Sequence, residues 1–427
     1  MGLHPHEWLG SHERGGARMQ LASSDRKDRW TLVVEDLRTT PVAQRRIELV
    51  ERKGIGHPDT ICDSLVEAIS VGLNAMYLER LGAIPHYNID KAMLVAGQCA
   101  KGFGWGEVTR PMELIVGDRA TLTVDGRSLP VEETARAAVD AWVGAHLPHV
   151  RPGKDLVTRT VLAAGSEELR RIFKEGQGTI ASNDTAGASG YAPLSPTEEL
   201  VLAVEGFLNS REFKVRFPDT GQDVKVLAVR DGEVVALTVA MPFLCRDTAS
   251  ERDYFGRKAE VLGALGAHFA GVPFRLDWRL NCLDRGGLGA EGAYLSLTGT
   301  SAEDADSGQV GRGNRVNGII AFERPTGGEA APGKNPVAHV GKIYSVLSHR
   351  LARLIHARCP ALLEVYVHLS ARIGEPVDTP WTGVQIVLPS GMGIADVEGM
   401  IRDVVEAEVA RMPQFREELI RGEHPVC

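Results

Sequence analysis

The sequence has few cysteines, and no two of them form a CxxC pair. The six lie far apart along the 427 residues, at Cys62, Cys99, Cys245, Cys282, Cys359 and Cys427. A structural zinc site or a disulfide framework needs closely spaced cysteines, so this pattern argues against both. It is typical of reduced thiols, and we expect a cytoplasmic protein.

The chain also lacks long apolar runs and an excess of basic residues. No apolar run predicts a membrane span, and the first thirty residues have no apolar core of a secretory signal. With 48 Lys and Arg against 56 Asp and Glu, the net charge is −8. This balance argues against nucleic acid or an anionic membrane as the main partner. It predicts that cationic residues gather in a site.

Apolar periodicity predicts a mixed α/β chain with helices after Pro58, after Ser195 and from about Val340. At the second of these, Ser195 as N-cap, Pro196 and Glu198 form a capping-box pattern. Residues 1–29 carry no such periodicity and are predicted to be a disordered extension, in which Met19 is a second candidate start. Residues 30–427 are predicted to form one catalytic body.

The densest chemistry lies in two loops, residues 301–318 and 323–342, which we call the first and second basic loops. A nucleoside triphosphate carries about three to four negative charges. It is held by fixed cations and by backbone N–H groups that glycine lets approach closely. The two loops supply the cations Arg312, Arg315, Lys334 and Lys342 and the glycines Gly308, Gly311, Gly313 and Gly333. One such loop alone is more often solvated surface, whereas two in tandem indicate a phosphate site.

Carboxylates beside these cations predict a metal ion. Asp304 and Asp306 would repel a bare polyphosphate, but they suit a Mg²⁺ ion placed between them and the phosphates. A competing interpretation is a P-loop, because Gly328–Lys334 matches G-x-x-x-x-G-K. The next residue, Asn335, lacks the hydroxyl that a P-loop uses to bind Mg²⁺, so this match is weak.

Three further segments carry candidate residues. GIGHPDTICD places His57 and Asp59 at the start of a helix, where the dipole and free N–H groups favour a phosphate. The alternative is that Asp59 is only an N-cap. Asp184 lies in a turn-rich segment, and the period-two rule puts Asp223 and Lys225 on one face of a strand.

Five ordered motifs together resemble the S-adenosylmethionine synthetase (methionine adenosyltransferase) family, archaeal type. They are VERKGIGHPDTICD, NDT with GYAPLSPTE, GQDVKV, YLSLTGTSAE with GQVGRGNRVNG, and EAAPGKNPVAHVGKIY. The resemblance implies an enzyme that joins ATP to L-methionine, with water, and releases phosphate and diphosphate. It also implies an α/β fold of three similar βαββαβ lobes about a pseudo-threefold axis, and active sites shared within a homodimer. Mg²⁺ is the implied cofactor, and K⁺ is a second candidate.

The resemblance also implies roles for individual residues. His57, Lys225, Arg312 and Lys334 are the expected catalytic residues that meet the triphosphate, and Asp59 and Asp304 are the expected magnesium ligands. Asp184 and Asp306 are expected to face methionine, Asp223 to lie beside adenosine, and Ile373 to touch adenine. The expected substrate-binding set also includes Gly178, Asn183, Gly311, Gly313, Arg315 and Lys342.

The sequence departs from the family pattern on the methionine side. Trp105 stands within FGWGE, Gly187 replaces an aromatic residue after NDT, and Ala305 replaces a glycine. These changes leave the shape of the methionine pocket open, while the cations and glycines of the phosphate site remain. Two rival functions also stay open: another magnesium-dependent nucleotide phosphotransferase or NTPase, and a catalytically inactive nucleotide-binding homologue.

Overall fold

A computed structural model describes residues 31–165 and 180–427, and these residues form a mixed α/β protein. The α-helices are α1 Pro58–Leu81, α2 Val131–His146, α3 Pro196–Leu208, α4 Arg211–Arg216, α5 Glu251–His268, α6 Val340–Arg358, α7 Glu398–Ala410 and α8 Met412–Ile420. Short 3₁₀ turns lie at Val42–Gln44, Gly289–Gly292, Ser301–Glu303 and Ile394–Asp396.

The strands are mostly five to eight residues long and belong to sheets of mixed direction. They are β1 Leu32–Asp36, β2 Ile47–Lys53, β3 Asn88–Val95, β4 Gln98–Gly102, β5 Trp105–Arg110, β6 Met112–Arg119, β7 Thr123–Val124, β8 Arg127–Ser128, β9 Leu156–Ala163, β10 Ala186–Ala192, β11 Lys225–Asp231, β12 Val234–Ala240, β13 Phe243–Leu244, β14 Arg275–Leu280, β15 Leu295–Ser296, β16 Gly308–Gln309, β17 Ile320–Ala321, β18 Glu364–Ala371 and β19 Trp381–Val387.

The three larger sheets of the described residues share one pairing pattern. Their strand orders are β1-β19-β18-β10, β14-β12-β11-β2-β17 and β9-β6-β3-β16. In each sheet the first pair is parallel and the pairs that follow are antiparallel. Each sheet therefore contains a central antiparallel pair with a parallel strand on one side and an antiparallel strand on the other, and the second sheet has one further antiparallel strand, β17, at its edge.

Each larger sheet packs against its own helices and has its own apolar core. Helices α1 and α2 cover the β3-β6 sheet, α3 and α5 cover the β11-β12 sheet, and α6, α7 and α8 cover the β18-β19 sheet. The side chains that alternate along each strand point in turn to this core and to the opposite face. The two basic loops run between these units.

Helix α1 is the element that positions the candidate site. His57 is its N-cap and Pro58 its first residue, and Gly82 ends it in the left-handed conformation, with φ of 68°. Among the described residues, α1 alone is long and apolar enough to cross a bilayer, which the sequence had not predicted. Because 61% of that apolar segment is buried inside the protein, it has the character of a core helix.

Candidate functional site

The N-terminus of α1 presents His57 and Asp59. His57, and not Asp59, is the N-cap: its Nδ1 accepts a hydrogen bond from the Asp59 N–H at 3.2 Å. The alternative in which Asp59 caps the helix is therefore wrong. Burial lowers the pKa of His57 to about 4, and the charges of Lys53 and Lys225 act in the same direction. A neutral ring that accepts at Nδ1 carries its proton on Nε2, so it can donate a hydrogen bond to an oxygen.

Asp59 connects α1 to the first basic loop. Its Oδ2 lies 2.8 Å from the Lys53 ammonium, and its Oδ1 accepts the Gln309 N–H at 2.9 Å. Lys53 also donates to the Arg312 carbonyl at 2.7 Å. Both carboxylate oxygens are therefore already engaged, and a metal ion at Asp59 would have to displace the lysine.

The first basic loop lies flat against the first two turns of α1. A Cβ on Gly308 would stand 2.0 Å from the Pro58 carbonyl oxygen, so only glycine fits there. Gly311 has φ of 82°, a conformation that glycine adopts without strain. In the described residues neither Arg312 nor Arg315 forms an ion pair with a carboxylate. Arg312 is exposed, whereas Arg315 is half-buried and donates to the Gly311 carbonyl at 3.1 Å.

Three predicted acids lie in or beside this loop and differ in burial and pairing. Asp304 is paired with Lys101 at 2.8 Å, while the exposed Asp306 accepts its neighbour's N–H, from Ser307 at 2.9 Å. Asp223 is buried and accepts from the N–H and the hydroxyl of Ser301. Burial raises the pKa of Asp223 to about 7, and the charge of Asp306 adds to this.

The expected strand face shared by Asp223 and Lys225 does not exist, because β11 begins at Lys225. Asp223 belongs to the loop before the strand and points inward to Ser301. Lys225 pairs with Glu51 at 3.1 Å across the neighbouring strand β2, and its side chain is 42% exposed. The lysine is thus accessible, whereas the aspartate is buried.

The lysines of the second basic loop are buried and paired. Lys342 is 0% exposed and lies 2.7 Å from Glu67, and burial lowers its pKa. Lys334 is 2% exposed and pairs with Asp90 and, at 3.2 Å, with Glu329. Burial opposes ionisation of Asp90, but Lys334 and Lys91 outweigh it and hold the pKa of that carboxyl below its usual range. The roles of Lys334 and Lys342 at the triphosphate stay predictions.

The geometry of the second basic loop disfavours the P-loop interpretation. In a P-loop the helix starts at the glycine-lysine step, so that its N–H groups converge on phosphate. Here α6 starts only at Val340 and is capped by His339. Both polar atoms of the Asn335 side chain are engaged within the protein. The amide donates to the Pro85 carbonyl at 3.1 Å, and the side-chain oxygen accepts the Val337 N–H at 2.9 Å.

A third group of predicted residues meets the second basic loop from the β18-β19 sheet. Asp184 lies 3.7 Å from His339, and its neighbour Asn183 donates its backbone N–H to Ala338 at 3.1 Å. Ile373 is 55% exposed and is tied to the same segment, because its N–H donates to the Thr185 hydroxyl at 2.9 Å. Gly178 lies outside the described residues.

The described residues contain no cluster of three or more His, Cys, Asp or Glu side chains arranged to hold a metal ion. Mg²⁺ usually keeps several waters and is bound by one or two carboxylates together with substrate phosphates. Asp59 and Asp304 are each paired with a lysine, so a magnesium ion that arrives with the nucleotide would compete with these lysines for the two carboxylates.

The comparisons with known proteins assign the chain. Residues 30–423 match the profile of the family described as "S-adenosylmethionine synthetase (AdoMet synthetase)". The chain belongs to the S-adenosylmethionine synthetase family. It is 41% identical over 399 residues to the S-adenosylmethionine synthase of Aeropyrum pernix, covering 92% of this chain and 98% of that protein. The Pyrobaculum neutrophilum synthase is 39% identical, with 92% and 99% covered.

Bacterial proteins are similar as well. The probable S-adenosylmethionine synthase of Aquifex aeolicus is 36% identical over 401 residues, with 93% of this chain and 99% of that protein covered. The solved structure of an unusual S-adenosylmethionine synthetase from Campylobacter jejuni superposes with a TM-score of 0.52 at 14% identity, covering 88% of this chain and all of that one. That likeness concerns the fold alone, and it agrees with the mixed α/β architecture.

Sequence reasoning missed the acidic face of α1. Asp63 and Glu67 are buried or half-buried, and each accepts an N–H of a basic loop, from Gly311 at 2.9 Å and from Gly333 at 3.0 Å. The signal was present, because acids at positions 59, 63 and 67 of a predicted helix lie on one face.

Proposed function

We propose that the chain is a methionine adenosyltransferase, which forms S-adenosylmethionine from ATP, L-methionine and water and releases phosphate and diphosphate. The observation that carries this proposal is the match to the synthetase family over nearly the whole chain, with relatives of that name at 36–41% identity. The arrangement of both basic loops on one helix supports it, since the reaction needs a site for a leaving triphosphate.

The chemistry places a clear demand on the site. The methionine sulfur attacks C5′ of ATP, so the whole triphosphate departs and its developing charge must be met by fixed cations. Arg312 and Arg315 are unpaired in the described residues, and Lys225 is half-exposed. We propose that these three groups and the Nε2–H of His57 meet the triphosphate first. Lys334 and Lys342 would add positive charge to the site from buried positions, where each is held in an ion pair.

Mg²⁺ is the proposed cofactor, held by Asp59 and Asp304 together with phosphate oxygens, and K⁺ is a second candidate. The metal would neutralise phosphate charge when it is bound. Asp306 is exposed and Asp184 is half-buried, with 46% of its side chain accessible, which suits the proposed contact of both carboxylates with the methionine ammonium. Ile373 is exposed beside Asp184's segment, which suits the proposed contact with adenine.

The finer architecture is also a proposal. Three sheets with one pairing pattern, each with its own helices and core, support the three βαββαβ lobes that the family resemblance implies. We propose in addition that the enzyme is a cytoplasmic homodimer with shared active sites, and that residues 30–427 form its catalytic body. ATP and L-methionine are its proposed partners, with no role for nucleic acid or membrane.

The rate of phosphate release with and without methionine separates this function from an NTPase or phosphotransferase. A methionine adenosyltransferase releases phosphate rapidly only when methionine is present, because attack by sulfur must precede cleavage of the triphosphate. Addition of EDTA should stop the reaction and excess Mg²⁺ should restore it. Phosphate release at the same rate without methionine would contradict the proposal and favour the NTPase alternative, whereas ATP binding without any turnover would indicate the inactive homologue.

A further inference from the structure

Helix α1 holds the first basic loop with two carboxylates that lie one turn apart. The Asp59 Oδ1 accepts the Gln309 N–H at 2.9 Å, and the Asp63 Oδ1 accepts the Gly311 N–H at 2.9 Å. The two donating N–H groups, of Gln309 and Gly311, are two residues apart. One turn of the helix therefore matches a two-residue step of the loop. Of these two acids, Asp63 has no lysine partner and is only 1% exposed.

The second oxygen of Asp63 faces the same loop. Asp63 Oδ2 is buried against the backbone of Gly313, whose N–H lowers the pKa of this carboxyl. A Cβ on Gly313 would lie 2.5 Å from this oxygen, so the loop backbone passes directly over it. The positive charge of Arg315 acts on the same carboxylate. The carboxylate and both loop glycines thus form one close contact.

The loop segment fixed by Asp63 is the one that carries both unpaired guanidinium groups. Arg312 lies between the two glycines that contact Asp63, and Arg315 donates to the Gly311 carbonyl at 3.1 Å. A change in the Gly311 backbone would therefore move both side chains. Burial under this loop raises the pKa of Asp63 to about 7, and the Gly311 N–H opposes this shift.

The next acid on the same face serves the second basic loop. Glu67, one turn beyond Asp63, accepts the Gly333 N–H at 3.0 Å and pairs with Lys342. Consecutive acids on α1 therefore bind the backbone of both loops, and the rigid helix sets the distance between them. Asp63 is the member of this set whose hydrogen bonds go to the first loop alone.

We propose that Asp63 is a positioning residue for the adenosyltransferase reaction: it fixes the turn from Gly311 to Arg315 so that both guanidinium groups face the triphosphate. The inference rests on the proposed function, because it assigns the residue a task in ATP binding. Asp63 itself does not touch substrate. Its effect reaches the reaction through the loop backbone.

The test compares three variants of the full-length protein by steady-state kinetics. Asp63→Asn keeps the shape and one acceptor for the Gly311 N–H, and Asp63→Ala removes both acceptors. Glu79→Gln is the matched control, because Glu79 is an exposed carboxylate further along α1. We measure kcat and KM separately for ATP and for methionine, with circular dichroism and thermal melting of each variant.

We expect a graded loss in kcat/KM for ATP. Asp63→Ala should lose roughly ten- to hundredfold, the scale set by a buried N–H left without its acceptor, and Asp63→Asn about three- to tenfold. The KM for methionine should stay within about twofold of wild type, and Glu79→Gln should match wild type. If Asp63→Ala does not fold, Asp63→Asn against Glu79→Gln decides the question.

Two results overturn the inference. One is an Asp63→Asn variant with the same kinetic constants as Glu79→Gln. The other is an apparent kcat that falls only in proportion to the folded fraction of the variant, while both KM values stay unchanged. That result is the sign of a purely structural role. A wild-type protein that makes no S-adenosylmethionine in the same assay instead contradicts the proposed function, so the two failures are distinguishable.

Discussion

At the scale of single residues, the candidate site contains two kinds of cation. Arg312 and Arg315 have no carboxylate partner among the described residues, whereas Lys334 and Lys342 are buried in ion pairs. A buried pair contributes little net stability, but removing one partner leaves an uncompensated buried charge. Each lysine therefore contributes to the stability of the fold as well as to any role at the phosphates. A substitution of either lysine should change both the free energy of unfolding and kcat.

Lys334→Ala should show both effects. We expect kcat to fall by roughly 10²–10³-fold, the range for loss of one preorganised charge-stabilising group. We also expect the free energy of unfolding to fall by about 3–5 kcal/mol, because Asp90 remains buried without its main partner. Kinetics at low temperature and urea unfolding measure the two separately. The exposed Lys154→Ala is the control, and a folded Lys334→Ala variant with normal kcat would refute the assignment.

His57 provides a prediction about pH. Burial holds its pKa near 4, below the ordinary 6.5, so the folded chain binds this proton more weakly than the unfolded chain. The His57 equilibrium therefore lowers the free energy of unfolding as the pH falls from 6.5 to about 4. Above pH 6.5 it has no effect on that free energy. Ring NMR of ¹⁵N-labelled histidine, with the signal assigned by its loss in His57→Asn, should give a midpoint below pH 5. A midpoint near 6.5 would show that the ring is solvated and not a buried N-cap.

At the scale of elements, the contact between the first basic loop and α1 depends on glycine. Gly308→Ala would place a Cβ 2.0 Å from the Pro58 carbonyl oxygen, so the loop must move away from the helix. Overpacking of this kind costs about 1–3 kcal/mol. We expect lower stability and a kcat at least tenfold lower, measured by urea unfolding and by product formation. Gly328→Ala in the second basic loop is the matched control, since no heavy atom lies within 4 Å of its Cβ.

Local sequence signals predicted the start of an element well where that start depends on residues of the element itself. The Ser195 capping box is present as expected, with Glu198 as its partner, and α6 begins at Val340. The prediction for Asp223 was wrong because the start of a strand depends on its neighbour: β11 pairs with β2 only from Lys225 onward. Asp59 was a poor choice of N-cap for a similar reason, since the Nδ1 of His57 already accepts its N–H.

The candidate site was predictable as a set of residues but not as a network. The cations and glycines of both loops could be recognised because their chemistry is local. Their partners could not, since Asp90 and Glu67 lie more than 240 residues earlier in the chain and meet the lysines only through tertiary packing. Burial of Lys342 is likewise a property of the fold, and no spacing rule indicates it.

At the scale of the whole molecule, each larger sheet presents apolar side chains on the face away from its core. Val33 on β1 is 48% exposed, Met93 on β3 is 44% exposed and Val229 on β11 is 40% exposed. Single exposed apolar residues are common on protein surfaces, and a contiguous patch is what marks an interface, so these positions do not by themselves show the proposed homodimer.

We expect light scattering to give at least twice the 46.1 kDa mass of the chain. If active sites are shared, two different inactive variants with changes in separate parts of the chain, such as Arg312→Ala and Asp184→Ala, should regain part of the activity when they are unfolded together and refolded. Each variant refolded alone is the control. A fully active monomer would contradict the shared site, and a dimer without complementation would place each site within one chain.

The most direct test of the central claim is the product itself. Purified protein with ATP, L-methionine and Mg²⁺ should form S-adenosylmethionine, identified by mass spectrometry, with one phosphate and one diphosphate for each molecule of product. Omission of methionine, or addition of EDTA, should abolish all three. Phosphate release without any S-adenosylmethionine, or no turnover by a folded protein, would contradict the account.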